Sequence, residues 1–312
     1  MTAAAQNPST RELVAPAGVT LAAALRGRFP EKSWRQVREL CSSGKVTVDG
    51  ERVLDGALRL AGGECVAWNM GKPDPRRRPE RPGFRIVFED GHLVIIEKPE
   101  GISTVPYERK ESGTALDLIR EAWRRQGKSA TVTPLYTVHR IDKDTSGLVC
   151  FAKTKLAERG LHRIFKEHLA EREYTAVAHG RVRPGRIESR LVPNRGDGLR
   201  GSTRRTDEGQ DAITFVEVVE ELRVATLCKV RLQTGRTHQI RIHLAEQGHP
   251  LVGETVYIRD FSRQGGKQLA CDRLLLHAGV LGFDHPVTGK RVHWEAPLPP
   301  EFEAAVAKLR GH

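Results

Sequence analysis

The side chains best suited to chemistry crowd into one stretch, Val138-His139-Arg140-Ile141-Asp142-Lys143-Asp144-Thr145-Ser146-Gly147-Leu148. Arg140 and Lys143 supply cations, Asp142 and Asp144 carboxylates, Thr145 and Ser146 hydroxyls, and Gly147 a permissive joint. Apolar residues flank it, and Leu148-Val149-Cys150-Phe151-Ala152 reads as a buried strand. Polar groups packed that densely beside a core strand cost stability unless they act. Asp, Ser and Gly also make ordinary turns, so residue types alone leave turn and site equally open.

Several chemistries share fragments of this stretch. Asp142 to Gly147 opens like a calcium-binding EF-hand loop, but the twelfth position is Lys153, which would repel the ion. His139-Arg140-Ile141-Asp142 has the letters of a kinase catalytic loop with one residue too many, and no glycine-rich phosphate loop precedes it. His238 and His243 stand five apart, whereas a helical metal pair needs four. Ser146 lacks the glycine-flanked elbow of a serine nucleophile. What remains is Asp142, flanked by His139 and Arg140, acting without metal or cofactor.

The elements that must position it follow from periodicity and turn signals. Short apolar strands are predicted at 86–88 and 93–96, divided by Asp90-Gly91, and Lys98-Pro99-Glu100-Gly101 makes a turn. A helix over 115–125 is capped by Thr114 with Asp117, and a basic helix spans 155–166. Strands at 174–178, 213–219 and 225–232 follow, with glycine- and arginine-rich loops over 195–207. Gln233-Thr234-Gly235-Arg236 turns into a helix over 238–247 that Gly248 closes.

Upstream, residues 1–17 lack periodicity and are predicted to form a loose tail. A helix starts at Thr20 and ends before Pro30. Ser33 with Gln36 caps a second, 34–42, whose Val37, Leu40 and Cys41 share a face, and Gly44 ends it. Strand 45–48, the Asp49-Gly50 hairpin turn and a strand at 64–68 complete a small domain over 18–69. Pro73, Pro75, Pro79 and Pro82, with six basic residues from Lys72 to Arg85, exclude helix, so 70–84 reads as a linker to a larger domain, 85–312.

A net charge of +12 favours a polyanionic partner, nucleic acid ahead of membrane. The five cysteines are scattered singly, with no C-x-x-C pair, as in reduced cytosolic proteins. No signal peptide opens the chain, and no apolar run approaches the roughly 20 residues that span a bilayer. These observations point to a cytoplasmic protein, and a monomer is the expectation.

Two resemblances add to this reading. The pattern Ser33-Trp34-Arg35-Gln36, Gly44, Val46-Thr47-Val48-Asp49-Gly50 resembles the S4-like RNA-binding module, which implies RNA contacts from Arg35, Arg38 and Lys45. The stretch from His139 to Leu148 resembles the signature of the RluA family of pseudouridine synthases, with Ile141 for the usual Leu. Lys98-Pro99-Glu100-Gly101, Glu173-Tyr174-Thr175-Ala176 and Thr234-Gly235-Arg236-Thr237-His238-Gln239-Ile240-Arg241 resemble its other segments, in order.

The family resemblance implies an α+β catalytic domain on a mixed, largely antiparallel sheet, isomerising uridine in RNA without a cofactor. Ribosomal RNA is the first expectation for the substrate, with transfer RNA second and a non-catalytic RNA-binding protein of the same fold third. Asp142 then carries over as the catalytic carboxylate, Arg241 as the cation keeping it ionised, and Tyr174 as the aromatic stacked on the base. His139, Arg140 and Arg236 are candidates for holding the flipped backbone. The sequence departs from the family pattern at 102–106, which lacks a usual histidine, and at Gly253-Glu254-Thr255-Val256-Tyr257-Ile258, where Gly-Asp and Tyr-Gly are usual. Both departures are expected on loops facing the substrate.

Overall fold

A computed structural model describes residues 10–42, 45–53, 55–69, 84–106, 111–128 and 133–311. The chain divides into two compact units, Met1–Glu80 and Arg81–His312. The expected linker falls almost wholly on 70–83, outside the described residues, as does Gly44.

The first unit holds β1 (Thr10–Val14), α1 (Leu21–Arg28), α2 (Trp34–Ser42), β2 (Val46–Val48), β3 (Glu51–Arg52) and β4 (Cys65–Asn69). Its sheet runs β1-β4-β2-β3. The hydroxyl of Thr20 accepts from the Ala23 amide at the start of α1. Ser33 and Gln36 exchange the two reciprocal bonds of a capping box at 2.8 and 3.3 Å, which sets where α2 begins. Val37, Leu40 and Cys41 bury one face of α2 against Leu21, Leu25 and Trp68. The expectation of a loose tail over 1–17 is overturned at β1. Thr10–Val14 pairs antiparallel with all of β4, and Ala15 is buried behind it. A five-residue edge strand with Arg11 and Glu12 in it carries too little apolar alternation to be read without its partner.

The second unit contains β5 (Arg85–Glu89), β6 (Leu93–Lys98), α3 (Ala115–Arg125), β7 (Tyr136–Thr137), β8 (Ser146–Ala152), α4 (Lys155–Lys166) and β9 (Glu171–His179). There follow β10 (Gly185–Val192), β11 (Gly201–Thr203), β12 (Gln210–Glu221), β13 (Ala225–Leu232), α5 (Gln239–Glu246) and α6 (Arg259–Arg263). The last elements are β14 (Leu276–Asp284), β15 (Arg291–Glu295) and α7 (Pro300–Gly311). Its sheet has 11 strands in the order β11-β10-β12-β13-β9-β14-β8-β6-β5, with β15 on β14 and β7 on β8. Every pairing is antiparallel except β14 with β8, so the mixed, largely antiparallel sheet expected from the sequence is present.

The uninterrupted apolar runs of β6 and β8 have a simple cause: both faces are covered. Val94, Ile96, Val149 and Phe151 pack on Ile119 and Trp123 of α3. The alternate residues Leu93, Ile95, Leu148 and Cys150 pack on Leu161 and Ile164 of α4. Truncating a fully buried side chain such as Trp123 to Ala would cost about 3–5 kcal/mol. No helix among the described residues is long and apolar enough to cross a membrane.

Candidate active site

The loop between β7 and β8 carries Asp142, and it is fastened from behind. Lys98, at the buried end of β6, donates to the carbonyls of Pro99, Ile102 and Lys143 at 2.8, 2.7 and 3.0 Å. Burial pulls this ammonium down to about 7 against the attraction of Asp142 and Asp144. Three carbonyl acceptors hold the proton on, because only the charged form has three donors. The Thr104 hydroxyl donates to the Ile141 carbonyl at 2.8 Å and accepts from its amide at 3.3 Å, so it brackets the peptide next to Asp142. Ser146, fully buried, accepts from Arg273 at 2.8 Å and contacts His277 at 2.9 Å, while Arg273 pairs with Glu100 at 2.7 Å.

Gly147 answers a packing demand. Its φ is +119°, and a Cβ there would strike the carbonyl of Ala278 on β14. Ala278 pairs with Gly147 on one side and with Tyr174 on the other, so one residue of β14 registers the Asp142 loop against the strand bearing the tyrosine. A bulge between Ala278 and Val280 lies at that position, and bulges re-aim side chains where a site needs it.

Both oxygens of Asp142 face cationic or polar nitrogens. Arg241 Nη1 lies 3.8 Å from Oδ2, and His238 Nε2 lies 3.9 Å from Oδ1. Arg241 is itself gripped by Glu254 in a two-pronged bridge, Nε to Oε2 and Nη2 to Oε1, both 2.7 Å. Burial opposes charge on Glu254, yet the Arg241 bonds and the amides of Val256 and Tyr257 hold it below the usual carboxylate range. For Arg241, burial is likewise outweighed by Glu254 and then Asp142, and the guanidinium titrates higher than usual.

His238 takes φ +60°, a left-handed conformation that a non-glycine residue adopts at a cost. Its Nδ1 lies 2.7 Å from the Tyr257 hydroxyl. Burial, opposed by Asp142 and reinforced by Arg241, keeps the imidazole below its ordinary range and therefore neutral at pH 7. The negative charge of Asp142 favours the proton on Nε2, so Tyr257 donates to Nδ1. Burial pushes the Tyr257 phenol up to about 12, which keeps that donor in place. Arg241 also lies over the Tyr257 ring at 5.4 Å. One loop, residues 254–257, thus fastens both neighbours of Asp142.

Asp142, His238 and Arg241 line a cavity of about 470 Å³, together with Tyr174, Arg140, Arg236 and Arg172. Tyr174 is buried, and that burial pushes its phenol up to about 12, so it presents a neutral ring and hydroxyl. The structure therefore brings Asp142, Tyr174, Arg241, His139, Arg140 and Arg236 around one space. Their surroundings differ. His139 stacks on Phe165 at 4.3 Å and accepts from the Cys150 amide at 2.9 Å. Burial, with Arg172 beside it, pushes the imidazole down to about 3. The ring is a neutral strut that pins the loop to β8 and brings no positive charge to a phosphate. Arg140 is exposed, and Arg236 donates from Nε to the Asp211 carbonyl at 2.9 Å. In the other unit Arg38 is exposed and Lys45 half-buried, while the side chain of Arg35 lies outside the described residues.

Within the two departures from the family pattern Thr104 and Glu254 are buried, behind the Asp142 loop and Arg241 respectively, while Pro106, Thr255 and Val256 are exposed. Sequence reasoning also missed Tyr257 and the part played by His238. Among the described residues no group of three His, Cys, Asp or Glu is placed to hold a metal ion.

Both units resemble known proteins. Residues 92–246 match the RNA pseudouridylate synthase family, and residues 21–65 match the S4 domain. The chain is 33% identical over 301 residues to ribosomal large subunit pseudouridine synthase D of Zymomonas mobilis, covering 94% of each. It is 33% identical to the protein of the same name in Escherichia coli K12, covering 94% of this chain and 91% of the other. A solved structure of human RNA pseudouridylate synthase domain containing 4 aligns with a TM-score of 0.56 at 22% identity, over 72% of this chain and 92% of that one.

Proposed function

Since the chain belongs to the RNA pseudouridine synthases, isomerases that act on RNA, we propose that it converts uridine to pseudouridine in large-subunit ribosomal RNA, with Asp142 carrying the chemistry. The substrate reading draws on the relatives from Zymomonas mobilis and Escherichia coli, whose names specify the large ribosomal subunit. The observation that carries the site reading is the Asp142 carboxylate set between Arg241 and His238 in a cavity that also holds Tyr174.

The reaction breaks the N1–C1′ bond of uridine and forms a C5–C1′ bond, while the base loses a proton at C5 and gains one at N1. Composition is unchanged, so no co-reactant is consumed. A carboxylate serves such chemistry because it can attack a sugar carbon or take a proton beside it. Arg241 and the Nε2–H of His238 stabilise its negative charge. The neutral Tyr174 ring offers a surface on which the detached base can lie and turn. A cavity of about 470 Å³ suits one extruded nucleoside. Extrusion costs a few kcal/mol, which favours unpaired or distorted target sites.

Asp142→Asn removes the charge and keeps the shape. It is expected to abolish pseudouridine formation by more than about 10³-fold while RNA binding and melting temperature stay near wild type. Pseudouridine maps of ribosomal RNA from cells with and without the gene identify the target. An active Asp142→Asn enzyme refutes the assignment of the carboxylate, and an unchanged ribosomal map refutes the substrate.

A further inference from the structure

Arg172, half-buried at the cavity wall, has no function in the machinery described so far, and its surroundings are unlike those of the buried arginines. Arg241 and Arg273 each grip a carboxylate. Arg172 grips none among the described residues: Nη2 donates to the Gln233 carbonyl at 3.1 Å, and the guanidinium lies 5.9 Å from the Phe165 ring centre. Its Nε is buried without a protein acceptor. A desolvated, uncompensated cation is costly, and it lowers the cost by finding an anion. The surroundings add positive charge instead. Arg236, Lys166 and His168 line the same cavity. Burial, then the charges of Arg172 and Arg236, hold His168 below its ordinary range, so the field there is electropositive.

The backbone makes room for this cation. A Cβ on Gly235 would collide with Arg172 Nη1. Gly235 has no left-handed φ to account for it, and its missing side chain leaves the space that the guanidinium occupies. Arg172 also lies two residues before Tyr174 on β9, on the same face of the strand, about 6.7 Å along it. That separation is on the scale of one nucleotide.

From this geometry we infer that Arg172, with Arg236, Lys166 and His168, forms a binding site for the backbone phosphate of the RNA beside the target uridine. The inference rests on the RNA isomerase reading for the identity of the anion. A guanidinium fork suits a phosphate's paired oxygens, and the neighbouring cations complete its neutralisation.

The test is binding of a uridine-containing single-stranded RNA oligonucleotide by wild type, Arg172→Gln, Arg172→Lys and Gly235→Ala across a KCl series. Arg172→Gln should weaken binding roughly five- to tenfold, and the slope of log affinity against log salt should become shallower by about 0.7, one phosphate on a single strand. Arg172→Lys, which keeps the charge, should hold most of the slope, and Gly235→Ala, which displaces the guanidinium, should lose it. A purely structural Arg172 would lower the melting temperature and leave the slope alone. Unchanged slopes in both Arg172→Gln and Gly235→Ala overturn the phosphate site. Wild-type pseudouridine formation is scored separately. RNA binding with an Arg172-dependent slope but no pseudouridine refutes the isomerase reading and leaves the phosphate site standing; pseudouridine formation with an unaltered slope does the reverse.

Discussion

Arg241 sits between two carboxylates and serves them unequally. Its two short bonds go to Glu254, and only Nη1 is left for Asp142, at 3.8 Å. A lysine keeps the charge but has one nitrogen, so it cannot grip Glu254 at two points and still face Asp142. Arg241→Lys is therefore expected to lose about 10²-fold or more in turnover and, by loosening a buried pair, about 2–3 kcal/mol of stability. Single-turnover rates and thermal melts read the two effects separately, and a variant with wild-type turnover would contradict this division of labour. At this scale chemistry and motif together singled out Asp142, Tyr174 and Arg241, three residues far apart in the chain that line one cavity. Glu254 and Tyr257 were not legible. A loop carboxylate and phenol carry no period, and their value appears only when the loop meets the end of α5.

The elements are tied together by neutral histidines. On α5, His243 contacts Thr214 of β12 at 2.8 Å and Ser189 of β10 at 3.0 Å, and burial pushes it down to about 4. Burial does the same to His277 on β14. Both have folded values below the unfolded one near 6.5, so the unfolded chain takes up their protons first. Their contribution is complete above pH ~6.5 and is lost as pH falls from there toward about 4, at up to about 1.4 kcal/mol per pH unit for each. Urea midpoints measured from neutral pH down to about 5 should show this decline. His243→Gln should make it shallower, and a parallel profile for the variant would show that His243 is not a source. The helices and the strands around Asp142 were readable from caps and apolar runs. β1, β10 and β15 were not, since short or half-exposed strands such as Arg291–Glu295 declare themselves only through the strand they pair with.

For the molecule as a whole, the net charge of +12 belongs to both units, and the first carries its share on a helix and hairpin that match the S4 domain. Replacing Arg38 and Lys45 together with Gln should weaken RNA binding by a similar factor on any sequence and flatten the salt slope, without altering which uridine is modified. Filter binding at several salt concentrations, with pseudouridine mapping in parallel, checks both halves, and an altered target with unchanged slope would contradict the expectation. The sequence divided legibly into a small basic domain and a larger catalytic one, because their patterns differ. The strand order of the large sheet did not follow from it, because pairing between residues far apart in the chain leaves no local trace.

The parallel pairing of β14 with β8 has a consequence for how the enzyme is made. Asp142 and Tyr174 are synthesised early, but the strand that sets them in register, through Ala278, leaves the ribosome much later. At about 5–20 residues per second the nascent chain waits several seconds with the facing edges of β8 and β9 unpaired. During that interval it has the unit that matches the S4 domain, while the candidate site around Asp142 and Tyr174 is unassembled. Competence arrives only as β14 slots in, so the chain must be translated past Ala278 before the first uridine can be turned.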